Sequence, residues 1–257
     1  MVKGLYTAYT GMVHQQSRMD ILSNNMANSA TVGFKKEGST SEAFKDVLAY
    51  KIKDTSEGFY ARGIGSMNLG VKIGENYTDF SQGAFKATEN PYDLAISGSG
   101  FFACEYTNKA GDTSVKYTRD GSFTLTKEGN LVTKDCDFVL DTNGRHIRLD
   151  TMSQASIDQA GRIYQNGALV AQVQVTDFAD YNALEHFGEN YYQPVEGAAQ
   201  IAADATIYSG HLEQSNVTVV SEMVELIEVS RNYETNQKVI QTIDNTLEIA
   251  ANQLGKI

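Results

Sequence analysis

Histidine and cysteine are the side chains best able to do acid–base, nucleophilic or metal chemistry near neutral pH, and this chain of 257 residues has four of the first and two of the second. His14, His146, His186 and His211 are isolated in sequence, and none falls in a zinc-binding spacing such as HExxH. Cys104 and Cys136 are too few and too separated for a zinc site, which wants four closely spaced Cys or His ligands. Two separate thiols are expected, with a disulfide as the alternative. No GxSxG elbow, Walker loop or Cys–His signature is visible. Residues 97–102, SGSGFF, have the small residues of a phosphate loop, but the stretch after them is strand-like rather than helical. They read as a tight turn into a buried strand. Asp93, Asp120 and Asp135 could supply paired carboxylates, yet carboxylates in β turns mostly accept bonds from nearby backbone N–H groups. The expectation is a protein that is not an enzyme and needs no cofactor and no metal.

What the sequence offers instead is two apolar heptad patterns at its two ends. Leu5, Met12, Met19 and Met26 recur every seven residues, with Ala8, Gln15, Leu22 and Ser29 between them, an a/d stripe. Near the other end Val219, Met223, Leu226, Ser230, Tyr233, Gln237, Ile240, Asp244, Leu247, Ala251 and Leu254 alternate steps of four and three. The spacing predicts a first helix over residues 3–28 and a closing helix of roughly 40 residues, on the order of 60 Å long. Such a helix cannot bury its stripe against a small domain and calls for a partner helix.

Asn24, Asn25 and Asn28 are poor interior helix residues because their amides compete for backbone bonds. Two readings stand for them: a fraying helix end, or an interface in which amides fix register between neighbouring helices. Gly33 offers a left-handed position after the first helix. Leu212 to Val217 reads as the opening of the last helix, with Ser215 or Asn216 as its N-cap and Glu222 and Glu225 favouring the positive end of its dipole.

Between the helices the period changes. Residues 36–90 are of mixed polarity with scattered glycines, and predict a short helix near residues 41–51 followed by extended segments. Residues 91–211 show short runs with period-two alternation, separated by the turns KEGN (127–130), TNGR (142–145) and QNGA (165–168). The fold class expected is α+β: long N- and C-terminal helices forming a coiled-coil-like assembly core, with an inserted antiparallel β domain. The segments are an N-terminal assembly helix (1–35), a connector with mixed short elements (36–90), a β-rich outer domain (91–211) and a C-terminal assembly helix (212–257). The simplest arrangement brings the two ends together as a rod from which the β domain projects.

Composition agrees with a folded protein and removes some partners. A hydrophobic content of 41% supports an ordinary core. The net charge of −11 argues against nucleic acid, whose binding relies on Lys and Arg displacing counterions. No stretch reaches the roughly 18 apolar residues of a membrane span, and the first eleven residues lack the basic start and apolar block of a cleaved secretion signal.

Three blocks carry a family resemblance: LYTAYTGMVHQQSRMDILSNNMANSATVGFK near the start, NPYDLAISGSGFF with YTRDGSFTLTKEGNLVT in the middle, and LEQSNVTVVSEMVELIEVSRNYETNQKVIQTID near the end. In this order they resemble the bacterial flagellar rod and hook proteins over nearly the whole chain. The compact size resembles rod subunits rather than the longer hook protein; the distal-rod type is favoured and the proximal-rod type is the alternative.

The resemblance implies a structural subunit of the basal-body rod, polymerising through its terminal helices into a torque-transmitting shaft. It implies export, without a cleaved signal, through the flagellum-specific type III apparatus, and other rod and hook subunits as partners besides further copies of the chain. It carries Asn24, Asn25, Asn28, Gly33 and Phe34 over as the N-terminal signature and Leu212, Glu213, Ser215, Asn216 and Val217 as the C-terminal one. With the stripe residues Leu5, Met12, Met19, Leu22, Met26, Met223, Leu226, Tyr233, Ile240, Leu247 and Leu254, these form the expected subunit interface. A secreted β-domain adhesin trimerised by a helical stalk would share the long heptads; it is the competing reading.

Overall fold

The computed structural model describes residues 2–50, 63–109, 111–188 and 190–252. Their order is a long helix, a series of short strands and a second long helix, and every strand pairing among them is antiparallel. The fold class is therefore α+β.

The described residues group into two compact units, each discontinuous in sequence. The first is drawn from Met1–Ala27, Glu37–Asp79 and Thr218–Ile257. Its helices are α1, Val2–Ala27, and α2, Val219–Asn252. They pack on each other, and α1 also packs on the strands Glu37–Ala43 and Val71–Thr78, which pair with one another. A short helix near residues 41–51 is not what forms. Glu37–Ala43 and Val47–Tyr50 are strands, the latter paired with Gly63–Met67, and Lys51 lies outside the described residues. Cross-strand pairing outweighs the local helical leaning of this segment. Thr40 shows how, its Oγ1 accepting from Glu75 N at 2.9 Å and donating to Glu75 O at 3.2 Å.

The second unit, Asn28–Lys36 and Phe80–Val217, is built on a nine-stranded sheet. Its central strand, Phe101–Thr107, begins with four buried residues rather than the alternation of a half-exposed strand. Both faces are covered: Phe102 and Cys104 enter one core with Leu94, Ile96, Phe123 and Val139, whereas Phe101 and Ala103 enter another with Tyr117, Leu140, Phe178 and Tyr192. The SGSGFF run is thus a turn into a buried strand, with Gly98 and Gly100 at positive φ. In the QNGA turn Asn166 and Gly167 both have positive φ, the requirement of a type I′ hairpin reversal between Arg162–Gln165 and Ala168–Gln172. Cys104 is buried, Cys136 is exposed, and both are free thiols.

The last helix starts later than expected. His211–Glu213 is a strand paired with Phe85–Ala87, and α2 begins at Val219. Ser215 and Asn216 do not cap it: Ser215 Oγ accepts from Val217 N, two residues on, and Asn216 Oδ1 accepts from Lys36 N at 2.7 Å. The first backbone bond into the helix runs from Glu222 N to Thr218 O.

Candidate assembly interface

Within the first unit α1 and α2 run antiparallel. Gly4 faces Ile243, Gly11 faces Asn236, Arg18 reaches Glu225 and Asn25 reaches Glu222. These α1 positions recur every seven residues, each one residue before the expected Leu5, Met12, Met19 and Met26, which are half-buried, and Ala8 of the same expected stripe is buried. On α2 part of the expected stripe is covered and part is not. Glu222 and Val229 are buried, whereas Met223 is 50% exposed; Leu226, Tyr233 and Ile240 are half-buried, as the expected stripe requires. The other contacts between the helices are hard to read in sequence because glycine, arginine, asparagine and glutamate make them. Glycine lets the backbones approach: a Cβ on Gly11 would stand 3.1 Å from Asn236 Nδ2. Among the other expected stripe residues Leu22 is buried, Leu247 is 38% exposed, and Leu254 lies outside the described residues.

Asn25 gives the amide-rich segment its physical reason. Fully buried, it accepts from Glu37 N at 2.9 Å and donates to Glu37 O at 2.8 Å, and it also donates to Glu222 Oε2 at 3.2 Å. It clamps the strand after α1 and one end of α2 within its own chain. Asn28 closes a turn, its O and Oδ1 accepting from Thr31 N and Oγ1, and Asn24 is exposed. His14 is buried beside this pair, with Nε2 2.8 Å from Ser41 Oγ; burial, reinforced by Arg18, lowers its pKa below the ordinary value.

In the second unit the two signature blocks meet each other. Gly33, at φ 70° with its would-be Cβ 2.5 Å from the Arg119 carbonyl carbon, donates its N–H to Glu213 O at 2.8 Å. The Glu213 carboxylate, with no exposed side-chain surface, receives Lys35 Nζ at 2.6 Å, Gly83 N at 2.9 Å and Arg119 Nη1 at 3.2 Å. Lys35 also donates to Ser81 O, and Arg119 donates to Gly98 O and lies over the Phe101 ring. Phe34 is 1% exposed and Val217 9%, while Leu212, Ser215 and Asn216 are half-buried. Phe34, Glu213 and Asn25 are therefore covered by their own chain.

Lys35 and Arg119, which complete this node, lie within the family-like blocks but carry no mark of their role there. Nothing in a sequence distinguishes a buried cation from a surface one until its carboxylate partner is known.

Several large apolar side chains of the paired helices are left open. Val220, Met223, Val224 and Ile227 on α2 are 73%, 50%, 62% and 51% exposed, and Tyr6, Tyr9 and Val13 on α1 are 61%, 54% and 43% exposed. The i, i+3, i+4, i+7 spacing of the α2 set is a second stripe that the sequence itself displays. The remaining histidines keep local partners: His146 bonds Glu105 and stacks on Phe138, His186 meets Tyr192 edge-on, and His211 Nδ1 lies 2.9 Å from Ser209 O. Among the described residues no group of three or more His, Cys, Asp or Glu could hold a metal ion, and no helix is long and apolar enough to cross a membrane.

Comparison with known proteins matches three regions. Residues 5–35 match the family described as "Flagella basal body rod protein", residues 95–165 the "Flagellar hook protein FlgE/F/G D1 domain", and residues 208–254 the "Flagellar basal body rod FlgEFG protein C-terminal". The chain is 33% identical to the flagellar hook-basal body complex protein FlhO of Bacillus subtilis over the whole of both chains. It is 34% identical to the flagellar basal-body rod protein FlgG of the same organism, over 98% of this chain and 99% of the relative. With the flagellar basal-body rod protein FlgF of Caulobacter vibrioides the identity is 33%, again over the whole of both chains. Matched at its beginning, middle and end and aligned over its full length, the chain belongs to the flagellar hook and basal-body rod protein family, structural proteins of the flagellar basal body.

Proposed function

We propose that this chain is a non-enzymatic subunit of the basal-body rod that polymerises through its terminal helices and transmits torque as part of the shaft. One observation carries the reading. After α1 has covered one face of α2, the first two turns of α2 still expose Val220, Met223, Val224 and Ile227. A contiguous exposed apolar surface on a protein chain marks an interaction site, and in this family the natural occupant is another rod or hook subunit. The same reading makes the flagellum-specific type III apparatus its export route.

The test is Ile227→Asp in a strain lacking the native gene. Ile227 faces away from α1, so the monomer should keep its far-ultraviolet circular dichroism, while rods in detergent-resistant basal bodies and swimming should both be lost. Normal rods and motility with Asp at this position would refute polymerisation through this helix.

A further inference from the structure

Resting on the proposed rod function, the geometry points to a specific mating rule between copies: the exposed α2 stripe of one copy seats in a groove beside α1 of the next. The groove is in the first unit, has a volume of about 600 Å³, and is lined by Tyr6, Thr10, Ala43, Phe44 and Leu69 with Glu42, Lys45 and Lys72 among them. A smaller adjoining hollow of about 210 Å³ extends it along α1 past Tyr9, Val13 and Val71. Together they make an apolar trough running along two turns of α1, the length over which Val220, Met223, Val224 and Ile227 recur on α2. An amphipathic helix laid in an apolar groove through i, i+3, i+4 and i+7 anchors is a standard recognition mode.

Charge selects the same occupant. Lys45 and Lys72 line the trough, Lys72 in an ion pair at 2.9 Å with Glu42, which lines it too. The α2 stripe is flanked by Glu225 and Glu228, of which Glu225 is paired with Arg18. A trough carrying two lysines against one glutamate thus meets a ridge flanked by two glutamates, each present once per copy.

The two surfaces cannot satisfy each other within one chain. Given the antiparallel register of the helices, their centres lie roughly 14 residues apart along the pair, on the order of 21 Å. They are also different surfaces, so the contact is heterologous, and a heterologous contact that does not close into a ring grows an open helical filament. The ridge of each copy fills the trough of its neighbour and leaves one unfilled trough and one uncovered ridge at the ends of the polymer.

The test uses the full chain in rods assembled in cells, with Cys136→Ser removing the exposed thiol and leaving the buried Cys104. Tyr9→Cys and Val224→Cys are introduced singly and together, and purified basal bodies are mildly oxidised. The double variant should give a covalent ladder beyond dimer, neither single variant should cross-link, and co-expressed single variants should give dimer only. Dimers from Tyr9→Cys alone, or normal rods of the double variant with no ladder, would overturn the mating rule while leaving rod function intact. Should the double variant fail to assemble, a benzophenone amino acid in place of Tyr9 in the otherwise native chain, mixed with isotopically labelled copies, replaces it. It should capture residues 219–228 of a second copy, and capture of any other segment overturns the rule. Absence of the native chain from rods would overturn the rod function and the mating rule together.

Discussion

Replacing Glu213 with Gln should unfold the second unit at markedly lower denaturant. The carboxylate is fully buried and receives two cationic side chains, Lys35 at 2.6 Å and Arg119 at 3.2 Å, themselves 1% and 4% exposed, together with Gly83 N. Glutamine is nearly isosteric and keeps an oxygen to accept one of these bonds, so little packing changes. What changes is that two cations stay in a water-free site without the negative charge that both approach. Removing one partner of a buried pair costs about 3–5 kcal/mol, against a total stability of about 5–15 kcal/mol for a typical domain.

Lys35→Met is the control. It deletes one cation but leaves Glu213 bonded to Arg119 and Gly83 and fills the space with an apolar stem, so it should cost clearly less than Glu213→Gln. Urea unfolding followed by near-ultraviolet circular dichroism of the tyrosines reads both, since the chain has no tryptophan. A Glu213→Gln loss below about 1 kcal/mol, or a larger loss for Lys35→Met, would refute the view that this carboxylate organises the junction of the two signature blocks.

Gly33→Ala should destabilise by at least about 2 kcal/mol in thermal unfolding, because a left-handed residue and a Cβ 2.5 Å from backbone add their costs; a stabilised variant would contradict the geometry. Leu226→Asp, at a half-buried seam position, should lower the stability of the isolated monomer as well as abolish rods, whereas Ile227→Asp should spare the monomer; equal monomer melting temperatures would show that α1 and α2 do not pair in solution. The lowered pKa of His14 means the unfolded chain takes up its proton at higher pH than the folded one, so stability from this residue is present above its ordinary pKa of about 6.5 and is lost as pH falls below it. His14→Gln should flatten that acid limb, and an unchanged pH profile would count against the buried site. In native protein one of the two thiols, Cys136, should react rapidly with maleimide and Cys104 only after unfolding; two slow thiols would revive the disulfide alternative.

The periodicities legible in sequence were those that repeated apolar residues enforce. A period of seven at each end marked helices close to Val2–Ala27 and Val219–Asn252, and a period of two with Asn-Gly turns marked the antiparallel strands between them. Backbone hydrogen bonding and the burial of one face are local consequences of such spacing, so the α+β class needed no tertiary information. The same holds for Gly33, whose positive φ is a local demand of the chain after α1.

Three features were decided only in the folded molecule. Besides the buried stripe residues Ala8 and Leu22, the helices meet at Gly4, Gly11, Arg18 and Asn25, where close approach, an ion pair and amide bonding make the contact, and an apolar count registers none of these. Residues 37–43 and 47–50 became strands because partners far along the chain supply their hydrogen bonds. Glu213 and Asn25, both conspicuous in sequence as polar members of terminal blocks, turned inward to Lys35, Arg119 and Glu37. A polar side chain is legible as buried only when its counter-charge is in place, and here that counter-charge lies 94 and 178 residues away in sequence for Glu213.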